Sequence, residues 1–265
     1  MSNAKSAGMV ELSYAKPASP ISRVRLHALA LLVCAGAFAV AGAYLLGVFA
    51  GFGTAAALLC AALTGIIWAA GAIAIMAGLR ADYFPHDRLG GANVITILRA
   101  AGIAAMAGLL AAPNELAQGM GWALVTVAGV VLALDAVDGW AARRTGLMSR
   151  FGARLDVETD VAFALVTAAL AVAAGKVGIW FLVLGLLRPA FLAATFIWPV
   201  LRAPLPPAQR RRIVAGAQMG AQVALLAPVL VPPASAVLGG VVLMVVLWSF
   251  TIDIRALLAR RGQTA

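Results

Sequence analysis

Apolar positions along this chain run in long blocks, without the strict alternation of a half-buried strand or the single stripe of a surface helix. The blocks fall at about 27–50, 55–79, 94–112, 119–138, 152–174, 177–199, 211–231 and 234–257. Each is close to the roughly 20 residues that a helix needs to cross a hydrocarbon core about 30 Å thick. The pattern therefore predicts eight membrane helices. Pro113 and the Pro232-Pro233 pair separate spans, and Pro199 with Pro204, Pro206 and Pro207 brackets a loop. The first block exceeds the 7–15 or so apolar residues of a cleavable signal peptide, and a second span follows at once.

Composition supports this reading. Of 265 residues, 63% are hydrophobic and 11% charged, whereas a soluble domain carries roughly 25% charged residues. The expected fold class is an all-α integral membrane protein. Residues 1–24 read as a cytoplasmic tail, 25–81 as two accessory transmembrane helices and 82–265 as a six-helix core. Cys34 and Cys60 fall inside apolar blocks with no metal-binding spacing, so they read as small buried residues.

The net charge of +10 changes the picture only through its distribution. Arg80 and Arg88, then Arg143, Arg144 and Arg150, then Arg202 and Arg210 to Arg212, then Arg260 and Arg261 occupy one set of connections. The alternate connections hold only Lys176 and Glu115. Basic clusters of this kind orient helices by the excess of Lys and Arg on the cytoplasmic side. They exclude nucleic acid as a partner and favour membrane lipids. The expected setting is a bacterial inner membrane, with both termini and the functional site facing the cytoplasm.

Acidic residues inside apolar blocks carry the chemistry. Asp135 and Asp138 share a helical face with Ala142, and Gly152, Asp156 and Asp160 form a second stripe at steps of four. The short loop between the two helices predicts antiparallel neighbours with facing carboxylates. An acid in a membrane helix costs on the order of 3 kcal/mol, and clustered carboxylates repel one another unless a cation joins them. Oxygen-only ligands suit Mg²⁺ or Mn²⁺ better than zinc, and a cluster this rich in acids suits two ions binding the phosphates of an activated nucleotide. Gly139, Ala142 and Gly152 leave room for a bulky ligand to approach the helix backbones, or for close helix packing, and Arg143 supplies a fixed charge suited to a phosphate or to positive-inside orientation.

These residues resemble a known family. The CDP-alcohol phosphatidyltransferases share Asp-x-x-Asp-Gly-x-x-Ala-Arg, eight residues, then Gly-x-x-x-Asp-x-x-x-Asp. Asp135, Asp138, Gly139, Ala142, Arg143, Gly152, Asp156 and Asp160 fill every fixed position. The resemblance implies a six-helix core and displacement at the β-phosphorus of a CDP-activated lipid such as CDP-diacylglycerol, releasing CMP. It implies a metal site of Asp135, Asp138, Asp156 and Asp160, the first three as ligands and Asp160 near the metals and also the general base. Asn93, Thr96 and Arg99 resemble the family's opening pattern, with Thr96 lining the nucleotide pocket. A homodimer is a further expectation from the family.

The acceptor is less constrained. Arg188, in an otherwise apolar helix just before Pro189, reads either as a structural partner of an interior acid or carbonyl, or as a contact for an anionic acceptor. Arg212, in the cluster Arg210 to Arg212, is a second acceptor candidate. These cations point to a phosphorylated polyol, glycerol 3-phosphate ahead of inositol phosphate. A cation- or proton-coupled transporter would also place acids in the membrane, but would not need Gly139, Ala142, Arg143 and Gly152. An inactive family member acting as a scaffold is the third reading.

Overall fold

The computed structural model describes residues 21–80, 84, 86, 88–119, 121–145, 149–198, 201, 203 and 208–261, without the side chains of 117–119, 138–145, 260 and 261. Among these residues every regular element is helical. The order is α1 (Ile21–Phe49), α2 (Thr54–Gly78), α3 (Gly91–Gly108), α4 (Pro113–Gly119), α5 (Gly121–Thr145), α6 (Arg150–Ala173), α7 (Val183–Ile197), α8 (Gln209–Leu225) and α9 (Ala234–Arg261). Short 3₁₀ turns at Leu109–Ala111 and Ile179–Leu182 extend α3 and lead into α7.

The eight long helices correspond to the eight apolar blocks, with some changes of detail. The connection expected at 113–118 is the short helix α4, which starts at Pro113, where a missing N–H costs nothing. α8 stops at Leu225 rather than near 231. α5 runs on to Thr145, so the whole first half of the acidic motif lies on one helix. Among the described residues, five segments are long and apolar enough to cross a membrane: Ile21–Phe49, Thr54–Gly78, Gly91–Ala111, Ile179–Ile197 and Ala234–Ala259. α6 is set apart by the charged residues of its first half and α8 by its length of 17 residues, while α5 has the apolar stretch Gly121–Val137 ahead of the rest of the acidic motif. The polarity is concentrated where the candidate site lies.

α3 is the hub. It is the most buried of the apolar spans and packs against α1, α2, α5 and α6. Small residues let it do so, since helices in lipid associate by close packing rather than by escaping water. A side chain at Gly108 would strike Thr64 and the Cys60 carbonyl of α2. Within the α1–α2 hairpin the Trp68 indole lies over Gly36, leaving no room there for a methyl group. Its N–H donates to the Leu32 carbonyl at 2.9 Å, so the buried indole is satisfied.

Lys176, the one basic residue on the sparsely charged side, has a structural job. Its ammonium donates to the Ala227 carbonyl at 3.2 Å, just past the end of α8. Ser235 donates back to the Lys176 carbonyl at 2.5 Å. The end of α6 is thereby tied to the loop between α8 and α9.

Candidate active site

Local sequence fixes the start of α6. Ser149 precedes the helix in extended conformation and its hydroxyl accepts from the Gly152 N–H at 3.0 Å, a side-chain N-cap. Gly152 then lies against α3, where an added Cβ would come within 2.5 Å of Asn93 Oδ1. Asn93 is 5% exposed. The glycine at this motif position thus sets how closely α6 meets α3, and so the depth at which Asp156 and Asp160 emerge, one and two turns further on.

Those two carboxylates meet an arginine. Arg99 of α3, 1% exposed, donates from Nη1 to Asp156 Oδ1 at 2.9 Å and from Nη2 to Asp160 Oδ1 at 2.7 Å. Nη2 also lies 2.6 Å from Asp135 Oδ1 on α5. The carboxylates of α5 and α6 therefore meet at α3, with a guanidinium at the junction. All three contacts use Oδ1. The carboxylates are 33%, 44% and 32% exposed for Asp135, Asp156 and Asp160, against 2% for the Arg99 side chain. They are held from behind by a buried cation and open in front.

Among the described side chains, one guanidinium against three carboxylates leaves a formal excess of two negative charges. Close carboxylates with such an excess either take up protons or attract a further cation.

A family model for CDP-alcohol phosphatidyltransferases matches residues 90–252, more than half of the chain. The chain belongs to the CDP-alcohol phosphatidyltransferase family. No curated protein and no solved structure gives a significant match to it. Family membership makes it a transferase that moves a phospho-alcohol group from a CDP-alcohol to an acceptor, in a family generally dependent on divalent metal. The matched region begins at the foot of α3, so α1 and α2 precede it.

The donor set of this phosphatidyltransferase fits such a metal. One oxygen from each of Asp135, Asp156 and Asp160 lies within 4.8 Å of the others. All are oxygen donors, the chemistry Mg²⁺ and Mn²⁺ favour, and Arg99 contacts Oδ1 of each. The backbone of Asp138 lies in α5, but its side chain, with those of Gly139, Ala142 and Arg143, is outside the described residues.

Other candidates separate. Thr96 is 4% exposed and its hydroxyl donates to the Ala92 carbonyl of its own helix at 2.9 Å. Arg188 is exposed and makes no ion pair among the described residues, so the interior partner considered for it is not found there. Gly185, one turn before Arg188, packs on Leu165 of α6. Arg188 follows by three residues and Asp160 precedes Leu165 by five, so in antiparallel helices the two lie within about 3 Å in depth at 1.5 Å per residue.

The Arg210–Arg212 cluster divides. Arg210 reaches Asp253 of α9 at 2.5 Å, donates to the Ser249 carbonyl at 2.7 Å and lies over the Trp248 ring. Arg211 reaches Asp253 at 3.2 Å. Arg212 is exposed. Two of the three cations thus clamp α8 to α9.

Arg99 is the residue of this cluster whose position the sequence pattern did not reveal. It stood out only as part of an opening pattern. The signal for its partner was present nonetheless: an arginine within an apolar span requires an acid or a carbonyl, and the motif acids were the available ones.

Proposed function

We propose that this chain synthesises a phospholipid by moving a phosphatidyl or related phospho-alcohol group from a CDP-activated lipid, such as CDP-diacylglycerol, to an alcohol. The favoured acceptors are glycerol 3-phosphate and inositol phosphate, and CMP is released. The observation that carries this reading is the set of three half-open carboxylates gathered on one buried arginine.

In this reading Asp160 accepts the proton of the acceptor hydroxyl as its oxygen attacks the β-phosphorus. The new O–P bond forms as the bond from phosphorus to the CMP oxygen breaks. Arg99 holds Asp160 by Oδ1, which leaves the other oxygen for the proton. Asp135, Asp138 and Asp156 would hold two divalent ions, Mg²⁺ or Mn²⁺. When bound, such ions would neutralise charge developing on the phosphates. Gly139 and Ala142 leave space for the nucleotide, Gly152 lets α6 close onto Asn93 of α3, Arg143 meets the nucleotide phosphate, and Thr96 supports the pocket wall. Arg188, at nearly the depth of Asp160, and Arg212 recognise the acceptor's phosphate. α1 and α2 form an accessory region, and the six long helices from α3 onward form the core.

The test is product identification. Purified protein is incubated with CDP-diacylglycerol, Mg²⁺ and a panel of acceptors: glycerol 3-phosphate, inositol phosphate, inositol and serine. The expected result is CMP with a new lipid of the mass that one phosphorylated polyol requires. A product formed only with serine or free inositol would contradict the assignment of Arg188 and Arg212.

A further inference from the structure

α2 and α6 both lie on α3, and between them runs a groove of about 740 Å³. Ile75 and Gly71 of α2, Ala104 of α3, and Leu155, Ala162 and Val166 of α6 line its walls. One end is different. There Gly78 lies against the Phe151 ring, and Arg80, Arg150 and Arg154 surround the opening. Arg154 stands 4.0 Å from Glu158, both largely exposed, while Arg80 and Arg150 make no ion pair among the described residues. The rim keeps a net positive charge.

We propose that this groove binds one anionic phospholipid beside the active site, with a chain in the trough and the phosphate among Arg80, Arg150 and Arg154. Depth and charge both favour that occupant. From Leu155 to Val166 the trough runs about 16 Å at 1.5 Å per residue, roughly half of a 30 Å hydrocarbon core, which is one leaflet. A second copy of this chain is a poor match for the rim, because the sequence has 20 Lys and Arg against 10 Asp and Glu. The groove is also separate from the reacting centre. At about 100° per residue, Leu155, Ala162 and Val166 lie roughly a third of a turn around α6 from Asp156 and Asp160. The accessory helix α2 supplies one wall, so the site depends on a part of the chain that precedes the family match.

Native mass spectrometry of the full chain in detergent tests this, with phosphatidylglycerol and phosphatidylcholine as probes. The wild type is expected to hold one phosphatidylglycerol in clear preference to phosphatidylcholine. Arg150→Ala is expected to weaken that binding about fivefold, and the Arg80, Arg150 and Arg154 triple alanine variant to abolish the preference. The corresponding triple lysine variant, which keeps the charge, retains it. Equal binding by wild type and the triple alanine variant would overturn the proposal. So would displacement of the bound lipid by CDP-diacylglycerol, which would make the groove part of the donor site. A change of the triple alanine variant from dimer to monomer without a change in lipid count would assign the groove to a second copy instead.

Discussion

Among the described residues, two arginine–aspartate clusters are built from the same side chains in opposite proportion. Around Arg99 three carboxylates face one guanidinium, and around Asp253 two guanidiniums face one carboxylate. In the second cluster the surplus charge has local partners: the Ser249 carbonyl and the Trp248 ring take up Arg210, and α8 is clamped to α9. In the first, the surplus is negative and the carboxylates stay a third to nearly a half exposed while their arginine is buried. A cluster whose charges are matched by neighbouring groups holds helices together. One that stays open and unbalanced is suited to a cation and its ligands. An intramembrane arginine thus takes its meaning from what surrounds it.

The comparison breaks first at Asp160. Asp160→Asn keeps the shape of the side chain and removes the proposed base. CMP release is expected to fall by roughly 10²–10⁴, measured at saturating donor with metal present. Full activity in that variant would place the base elsewhere. The next effect is on stability. Arg99→Ala leaves three carboxylates facing one another, and removing one partner of a buried pair costs about 3–5 kcal/mol. The carboxylates are partly exposed, so about 2–3 kcal/mol is expected in the metal-free protein. Mn²⁺ should recover part of the loss, because it replaces the missing positive charge. A melt identical to wild type would mean that Arg99 is not the counter-ion.

Smaller effects sharpen the contrast. Arg188→Ala should raise KM for a phosphorylated acceptor about tenfold, the scale of one charge-assisted hydrogen bond, with little change in kcat. An unphosphorylated acceptor should show no such shift, and equal shifts for both would remove Arg188 from phosphate recognition. Smallest of all, Asp253→Asn should lower thermal stability by about 1 kcal/mol and leave metal binding unchanged. A loss of metal affinity there would dissolve the distinction between the clusters.

Much of this was legible in the chain. Apolar blocks give helices in lipid because backbone groups there must bond within their own segment, and the spacing of Asp156 and Asp160 fixed a shared face. The position of Arg99 at the junction was not legible. Its partners are 57 and 61 residues away on α6, and helical periodicity says nothing about which third helix lies between two others. The Arg210–Asp253 clamp was hidden for the same reason, as its partners are 43 residues apart. Gly152 was legible as a small residue with a purpose, but its close approach to Asn93 depends on how α3 and α6 cross. Local pattern gives faces, whereas the pairing of faces comes from packing.

The most direct test of the open, unbalanced cluster is a Mn²⁺ titration of the full-length protein, followed by electron paramagnetic resonance. Wild type and Asp253→Asn are expected to give the same saturable binding, while Asp156→Asn weakens it at least about tenfold, the loss of one ligand to a hard cation. Superimposable curves for wild type and Asp156→Asn would contradict the assignment of these carboxylates as the metal site.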